Sequence, residues 1–177
     1  YKAVLAAAEQ LNLTVPQTLL HAGAFKNAFE LHRATFLAEH YPQGVAAELP
    51  MPQFSADDLP LNDALDVFSI DDSMTTEIDD AFSVQDLNDG RYRIGVHIAA
   101  PSLAVKRDDA ADVHASNRMS TMYTPGEKIT MLPDAWVQCF SLDEGTIKPV
   151  VSIYATLDVQ ADVPLSDVES KVERIKM

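Results

Sequence analysis

The sequence predicts a mixed α/β domain preceded by a short helical lead-in, and three stretches carry that reading. Residues 1–13 (YKAVLAAAEQLNL) are rich in alanine and hold no Gly or Pro, the composition of a helix. Residues 150–159 alternate cleanly: Val151, Ile153, Ala155, Leu157 and Val159 are set against Ser152, Tyr154, Thr156 and Asp158, as in a strand with one covered face. Between them, five carboxylates, Asp71, Asp72, Glu77, Asp79 and Asp80, are flanked by β-branched and aromatic runs at 67–70 and 81–84. At 177 residues and 47% hydrophobic, the chain can enclose the core of one domain plus an appendage.

In chain order, Thr14 before Pro16 caps a second short helix that stops near Gly23. A third helix runs over about 25–40, with Phe25, Phe29, His32 and Phe36 on one face. Residues 1–41 therefore form a helical lead-in, or else the remnant of a helix-turn-helix module, although no basic recognition face is evident. Residues 42–60 hold four of the ten prolines and read as an extended linker. Residues 61–177 make up the α/β domain. There Asn88-Asp89-Gly90 is a hairpin signal joining the strand at 81–84 to one at 92–99. In the second strand Tyr92, Ile94, Val96 and Ile98 are expected to face the core, with Arg93, Gly95 and His97 on the other side; His97 reads as a satisfied structural histidine rather than a ligand. A helix over 108–119 has acids in its first turn and Arg118 near its end, as the helix dipole favours. A short strand and turn at 121–126, a strand at 128–132, a brief helix from Pro133 through Trp136 and Cys139, and a last strand from 166 complete the pattern.

The acidic stretch is where chemistry is expected. Strands at both ends allow Asp71 to leave one as Asp79 and Asp80 enter the next, so the three can converge. Two ionised carboxylates about 4 Å apart repel by roughly 4 kcal/mol near a protein surface. From 57 to 90 there are eleven Asp or Glu and no Lys or Arg, so the neutraliser expected is a hard divalent cation with oxygen ligands, Mg²⁺ or Mn²⁺. The alternative is a solvated loop whose Asp and Thr side chains make local turns. A calcium loop starting at Asp71 would need Gly sixth and Glu twelfth, where the chain has Thr76 and Phe82. No Gly-rich phosphate loop, HExxH or GxSxG is present.

A net charge of −14 argues against a free-standing basic nucleic-acid binder and against adhesion to anionic membranes. No apolar run is long enough to span a bilayer. The single cysteine, Cys139, has no partner for an internal disulfide and reads as a buried reduced thiol, as in a cytoplasmic protein.

Four blocks in order, SIDDSMTTEIDDAFSV at 69–84, YRIGVHIA at 92–99, the run at 118–126 with Tyr123, and MLPDAWVQCFSL at 131–142, resemble the first part of the RNB catalytic domain of the ribonuclease II and ribonuclease R family. The resemblance covers 61–177 and implies an RNB-like mixed sheet with flanking helices. It implies a Mg²⁺-dependent hydrolytic exoribonuclease that degrades single-stranded RNA from the 3′ end and releases nucleoside 5′-monophosphates. The family's four catalytic acids fall on Asp71, Glu77, Asp79 and Asp80. Asp71 and Asp80 are implied metal ligands, Asp79 holds the attacking water or a second ion, and Tyr123 stacks on a base near the RNA 3′ end. Adjacent residues of a regular strand face opposite ways, so Asp79 and Asp80 share a site only if the backbone is irregular there. Glu77 stands where the family usually has Asp, and Ala100-Pro101 where it usually has Asp-Val. The resemblance further implies that an arginine-bearing second part of the domain and a basic RNA-binding module follow residue 177. The rival reading is a non-catalytic RNA-binding or scaffolding relative.

Overall fold

The computed structural model describes residues 1–46, 48–72 and 75–177. Ala47 of the proline-rich segment, and Ser73 and Met74 in the middle of the acidic loop, lie outside the described residues. The chain divides into two compact units, residues 1–46 and 47–177.

The first unit contains α1 (Lys2–Leu11), α2 (Val15–His21) and α3 (Ala28–His40). Asn12 closes α1 in the left-handed conformation, φ 54°, one of the few non-glycine residues that adopt it readily. At the start of α2, Thr14 Oγ1 accepts the Gln17 amide at 3.3 Å while Gln17 Oε1 accepts the Thr14 amide at 2.9 Å, a reciprocal cap that satisfies two otherwise orphaned donors. Asn27 Oδ1 accepts the Glu30 amide at 2.9 Å and starts α3. Because α3 begins only at Ala28, Phe25 falls outside it and the expected aromatic face does not form. Leu31 is the buried residue, Phe29 is 43% exposed, and Phe36 packs on His40 and Tyr41.

The second unit is built on a six-stranded mixed sheet: β1 (Leu61–Asn62), β2 (Val67–Phe68), β3 (Asp80–Asp86), β4 (Arg91–Ala99), β7 (Ile147–Asp158) and β8 (Leu165–Lys176). Its order is β1-β8-β7-β4-β3-β2, with β1 parallel to β8 and every other neighbour antiparallel. The turn between β3 and β4 puts Asn88 at φ 60° and Gly90 at φ 88°, as the Asn-Asp-Gly signal requires. A separate hairpin pairs β5 (Met122–Thr124) with β6 (Glu127–Ile129), flanked by α4 (Ala110–Arg118) and α5 (Asp134–Phe140). A 3₁₀ turn at Pro101–Ala104 starts on the Ala100-Pro101 pair, since proline fixes its first φ and leaves no amide to satisfy. The proline-rich segment is strapped down: Trp136 Nε1 donates to the Pro50 carbonyl at 2.9 Å, Phe54 packs 4.7 Å from Phe140, and the Arg174 amide donates to the Pro60 carbonyl at 2.7 Å.

The two faces of β4 are used the opposite way from the one the alternation suggests. Tyr92 and Ile98 are 38% and 40% exposed, whereas Gly95 and His97 are buried, His97 completely. The cause is a polar layer made of small neighbours. Ser83 on β3 meets His97 Nε2 at 2.9 Å, and Ser152 on β7 meets His97 Nδ1 at 2.8 Å, so both ring nitrogens are satisfied inside the sheet's covered side. Burial holds the His97 imidazole below its ordinary pKa, in the neutral form. Beside it the Tyr154 hydroxyl donates to Glu173 Oε1 at 2.5 Å and is pushed up to about 12 by burial and by that bond. Ala81, Val150, Tyr154 and Ile175 complete this core with Leu65 and Leu142 from the connecting loops. A second cluster gathers Ala111, Leu132, Trp136 and Phe140, with Cys139 half-buried beside it rather than fully enclosed. The other sheet face carries Phe68, Val84, Ile98, Val151, Ile153 and Val172, each at least 36% exposed.

A Cβ at position 95 would lie 2.8 Å from His97 Nε2 and closer still to the Ser83 hydroxyl. Gly95→Ala is therefore expected to destabilise the fold by about 1–3 kcal/mol through overpacking. The measurement is urea unfolding: a lower midpoint at unchanged slope is the expected outcome, and an unmoved midpoint would show that the histidine layer has room to spare.

Candidate active site

The acidic cavity lies where β3 begins. Ile78 is tied on both sides there: its amide donates to Ser141 Oγ at 3.1 Å and its carbonyl accepts the Leu142 amide at 2.9 Å. Its side chain packs against the core. With Ile78 turned inward, the flanking Glu77 and Asp79 turn outward into the cavity. Asp79 precedes the regular ladder, although its carbonyl still accepts the Ala99 amide at 2.8 Å, and Asp80 is the first ladder residue, opposite Ile98. That bond continues the β3–β4 pairing one residue back from Asp80, and both carboxylates line the same space.

That space, about 460 Å³, is lined by Asp71, Asp72, Thr75, Thr76, Glu77, Asp79, Asp80, Tyr123 and Lys128. All four acids expected from the sequence are thus brought to one cavity, together with Tyr123. Asp71 reaches it from a loop, because β2 ends at Phe68 and Ile70 is 78% exposed beyond it. Tyr123 and Lys128 are register partners in the β5–β6 hairpin, so they project from the same side of it. The hairpin is anchored by Arg118 Nη1, which donates to the Thr130 carbonyl at 2.6 Å.

Lys128 is the residue that sequence reasoning missed. Its ammonium lies 3.0 Å from Glu77 Oε2, with the Glu77 side chain only 13% exposed. It comes from outside the acidic stretch, 51 positions away in sequence, so no local charge pattern could have shown it. Even so, negative charge prevails. The Asp79 carboxyl is pushed above the ordinary aspartate value by partial desolvation first, then by Glu77 and Asp80, with Asp71 adding to the rise and Lys128 opposing it.

The donor set is carboxylate oxygen throughout, which suits a hard divalent cation such as Mg²⁺ or Mn²⁺, and the crowding at Asp79 marks charge that one lysine does not cancel. Among the described residues no group of three His, Cys, Asp or Glu side chains stands close enough to hold one ion. The fit is one of chemistry and placement, with the ligands not drawn together. A second cavity of about 540 Å³ adjoins the first and shares Glu77, Asp79 and Tyr123 with it; Ile98, Met119, Met131, Trp136 and Phe140 give it apolar walls.

A mixed sheet with flanking helices that delivers clustered acids to a cavity beside an exposed tyrosine defines an acid-pocket α/β domain. The family model described as RNB domain matches residues 61–172, and the chain belongs to that family, which includes the ribonuclease II and ribonuclease R proteins. Over 132 residues, 74% of this chain, it is 37% identical to Exoribonuclease 2 of Edwardsiella piscicida, of which it covers 20%. Over 98 residues, 55% of the chain, it is 40% identical to the inactive exonuclease DIS3L2 of Arabidopsis thaliana, of which it covers 9%. Among solved structures, Mycoplasma genitalium RNase R in complex with ribose-methylated single-stranded RNA superposes with a TM-score of 0.64 at 19% identity, over 91% of this chain and 24% of that one, a likeness of fold. The chain spans a fifth or less of the length of these curated relatives. No helix among the described residues is long and apolar enough to cross a membrane.

A raised carboxyl pKa makes a definite prediction about metal-free stability. Ionising Asp79 in the folded state costs more than in the unfolded chain, so the penalty is present above the folded pKa and is relieved as pH falls below the unfolded value. Asp79→Asn should therefore raise the melting temperature of the metal-free protein at pH 7, with the gain shrinking towards pH 3. A gain independent of pH would mean that charge crowding is not its source.

Proposed function

We propose that this chain is the acid-bearing part of a Mg²⁺-dependent hydrolytic exoribonuclease that shortens single-stranded RNA from its 3′ end and releases nucleoside 5′-monophosphates. The observation that supports this most is the gathering of Asp71, Glu77, Asp79 and Asp80 in one cavity with Tyr123 at its rim, at the positions where the sequence resembles the family's catalytic acids. In this reading Asp71, Asp79 and Asp80 hold the divalent cation. When bound, the ion supplies Lewis-acid stabilisation of charge on the phosphoryl oxygens. Asp79 orients the attacking water and takes its proton, a task helped by a carboxyl more basic than an ordinary aspartate. Water oxygen bonds to the last phosphorus, the bond from phosphorus to the preceding O3′ breaks, and that oxygen takes up a proton from solvent to become the new 3′ hydroxyl.

Tyr123, 76% exposed, offers a stacking face that accepts any base, and the apolar cavity next to it suits the ring of a terminal nucleotide. The RNA backbone needs cations that a chain of net charge −14 does not supply, so its contacts belong to the remainder of the RNB domain and a basic module of the same polypeptide. The reading places the protein in the cytoplasm. A second reading, a non-catalytic RNA-binding or scaffolding relative, is favoured by one feature: Glu77 is already engaged by Lys128.

The two part company in a single assay. Incubated with a 5′-labelled single-stranded RNA and Mg²⁺, the intact protein is expected to give stepwise shortening that Asp79→Asn abolishes; RNA that is bound but never shortened would favour the scaffold. Tyr123→Ala is expected to weaken RNA binding by about 1–3 kcal/mol, the worth of one stacked base, in a fluorescence anisotropy titration. Unchanged affinity would remove Tyr123 from the RNA path.

A further inference from the structure

Five non-glycine residues among those described hold a positive φ, and four of them are Asn12, Asn88, Asp108 and Asp167, whose short polar side chains tolerate it. The fifth is Met119, at φ 65° and ψ −31°. The Ser120 amide donates to the Arg118 carbonyl at 2.8 Å across it, which makes Met119 the centre of a γ-turn with positive φ, the rarer and strained of the two γ-turn forms. The turn is pinned on both sides. Before it, the Met119 amide donates to the Ala115 carbonyl at 2.7 Å and Arg118 Nη1 to the Thr130 carbonyl; after it, Thr121 Oγ1 accepts the Met131 amide at 3.3 Å. This backbone delivers a long apolar side chain to the surface rather than to a core: Met119 is 82% exposed. A helix end requires neither the strain nor the exposure, since glycine takes a positive φ at no steric cost. Strained residues of this kind cluster at ligand clamps. Met119 lines the cavity of about 540 Å³ together with Tyr123, itself 76% exposed, and the walls behind them are Met131, Trp136 and Phe140. A thioether and a phenol ring at the mouth of an apolar cavity suit a flat aromatic ring, for which sulfur has its own affinity.

We propose that Met119 is a clamp for the 3′-terminal base of the RNA: its thioether packs on the ring that Tyr123 stacks, and the strained turn holds it in place before RNA arrives. This rests on the exoribonuclease reading above and deepens it by naming a second residue of the base site and giving that site a preference. Contact with a polarisable side chain grows with the area of the ring, so the clamp favours a purine end over a pyrimidine end. Met119 grips the base and does not touch the reacting atoms.

The test sets stability against binding and does not use activity. The intact protein, as wild type, Met119→Gly and Met119→Leu, is titrated without Mg²⁺ into 5′-labelled single-stranded RNAs that differ only in ending with adenosine or uridine. Binding is read by fluorescence anisotropy, and melting temperatures are taken alongside. Met119→Gly relieves the turn, so its melting temperature should rise while its affinity for the adenosine-ended RNA falls about two- to tenfold, the worth of one sulfur–aromatic contact. The uridine-ended RNA should lose less. Met119→Leu keeps the length and the apolar character and should stay near the wild type in both measurements. Unchanged affinity in Met119→Gly would overturn the clamp, as would an equal loss for the two RNAs, because a general loosening does not sense ring size. A lower melting temperature in Met119→Gly would show the turn to be unstrained and overturn it as well. A wild type that binds neither RNA would overturn the exoribonuclease reading itself, a result distinguishable from all of these.

Discussion

Ile78 is a short side chain with a large consequence, because it is tied where two acids must diverge from the core. Its amide and carbonyl are both engaged by the end of α5, through Ser141 Oγ and the Leu142 amide. Each such bond contributes about 0.5–1.5 kcal/mol net, and burial of the apolar side chain adds to that. Against it stands mutual repulsion of carboxylates, roughly 4 kcal/mol for a pair at 4 Å near a surface. The balance holds because the repulsion is shared with water and with Lys128, and because the β3–β4 ladder continues from Asp80 without a break. Without the tether at Ile78, Glu77 and Asp79 would be held only by their own contacts, to Lys128 and to the Ala99 amide, among those described.

Much of this was legible in the chain itself. The β3–β4 hairpin followed from Asn88-Asp89-Gly90, β7 from its alternation, and an acidic loop able to bring Asp71 towards Asp79 and Asp80 from carboxylates bracketed by strand-forming runs, while the set Asp71, Glu77, Asp79 and Asp80 came from the family resemblance. What escaped were the features that depend on partners far away in sequence. Alternation in β4 names two faces but not which one is covered; small Ser83 and Ser152 on neighbouring strands decided that by making room for an imidazole. Likewise Glu77 has no basic residue nearby in sequence, and only the fold shows its ammonium. Phe25 missed its helix for a local reason: Asn27 offers a better cap than the residues before Phe25.

Family membership and the acid cavity are separate statements, and the relatives show why. This segment is 37% identical to Exoribonuclease 2 of Edwardsiella piscicida over 132 aligned residues and 40% identical to the inactive exonuclease DIS3L2 of Arabidopsis thaliana over 98. Similarity at this level is therefore shared by relatives named as exonucleases and by one named as inactive, and does not by itself assign activity. At position 77 a glutamate reaches one methylene further than an aspartate would. Placing a lysine within its reach changes the electrostatic sum of the whole cavity.

Asp80 occupies a border, since its register partner Ile98 and its strand neighbour Phe82 both belong to the apolar side of the sheet. Any layer laid over Phe82, Ile98 and Ile153 would strip hydration from one flank of that carboxylate at the same time. Once dried, a carboxylate holds a nearby cation more tightly and tolerates solitude less well. Wetting of the sheet and hydration of the Asp80 carboxylate are thus a single variable at this corner of the molecule, so whatever shelters the hydrocarbon surface also dries the acid beside it.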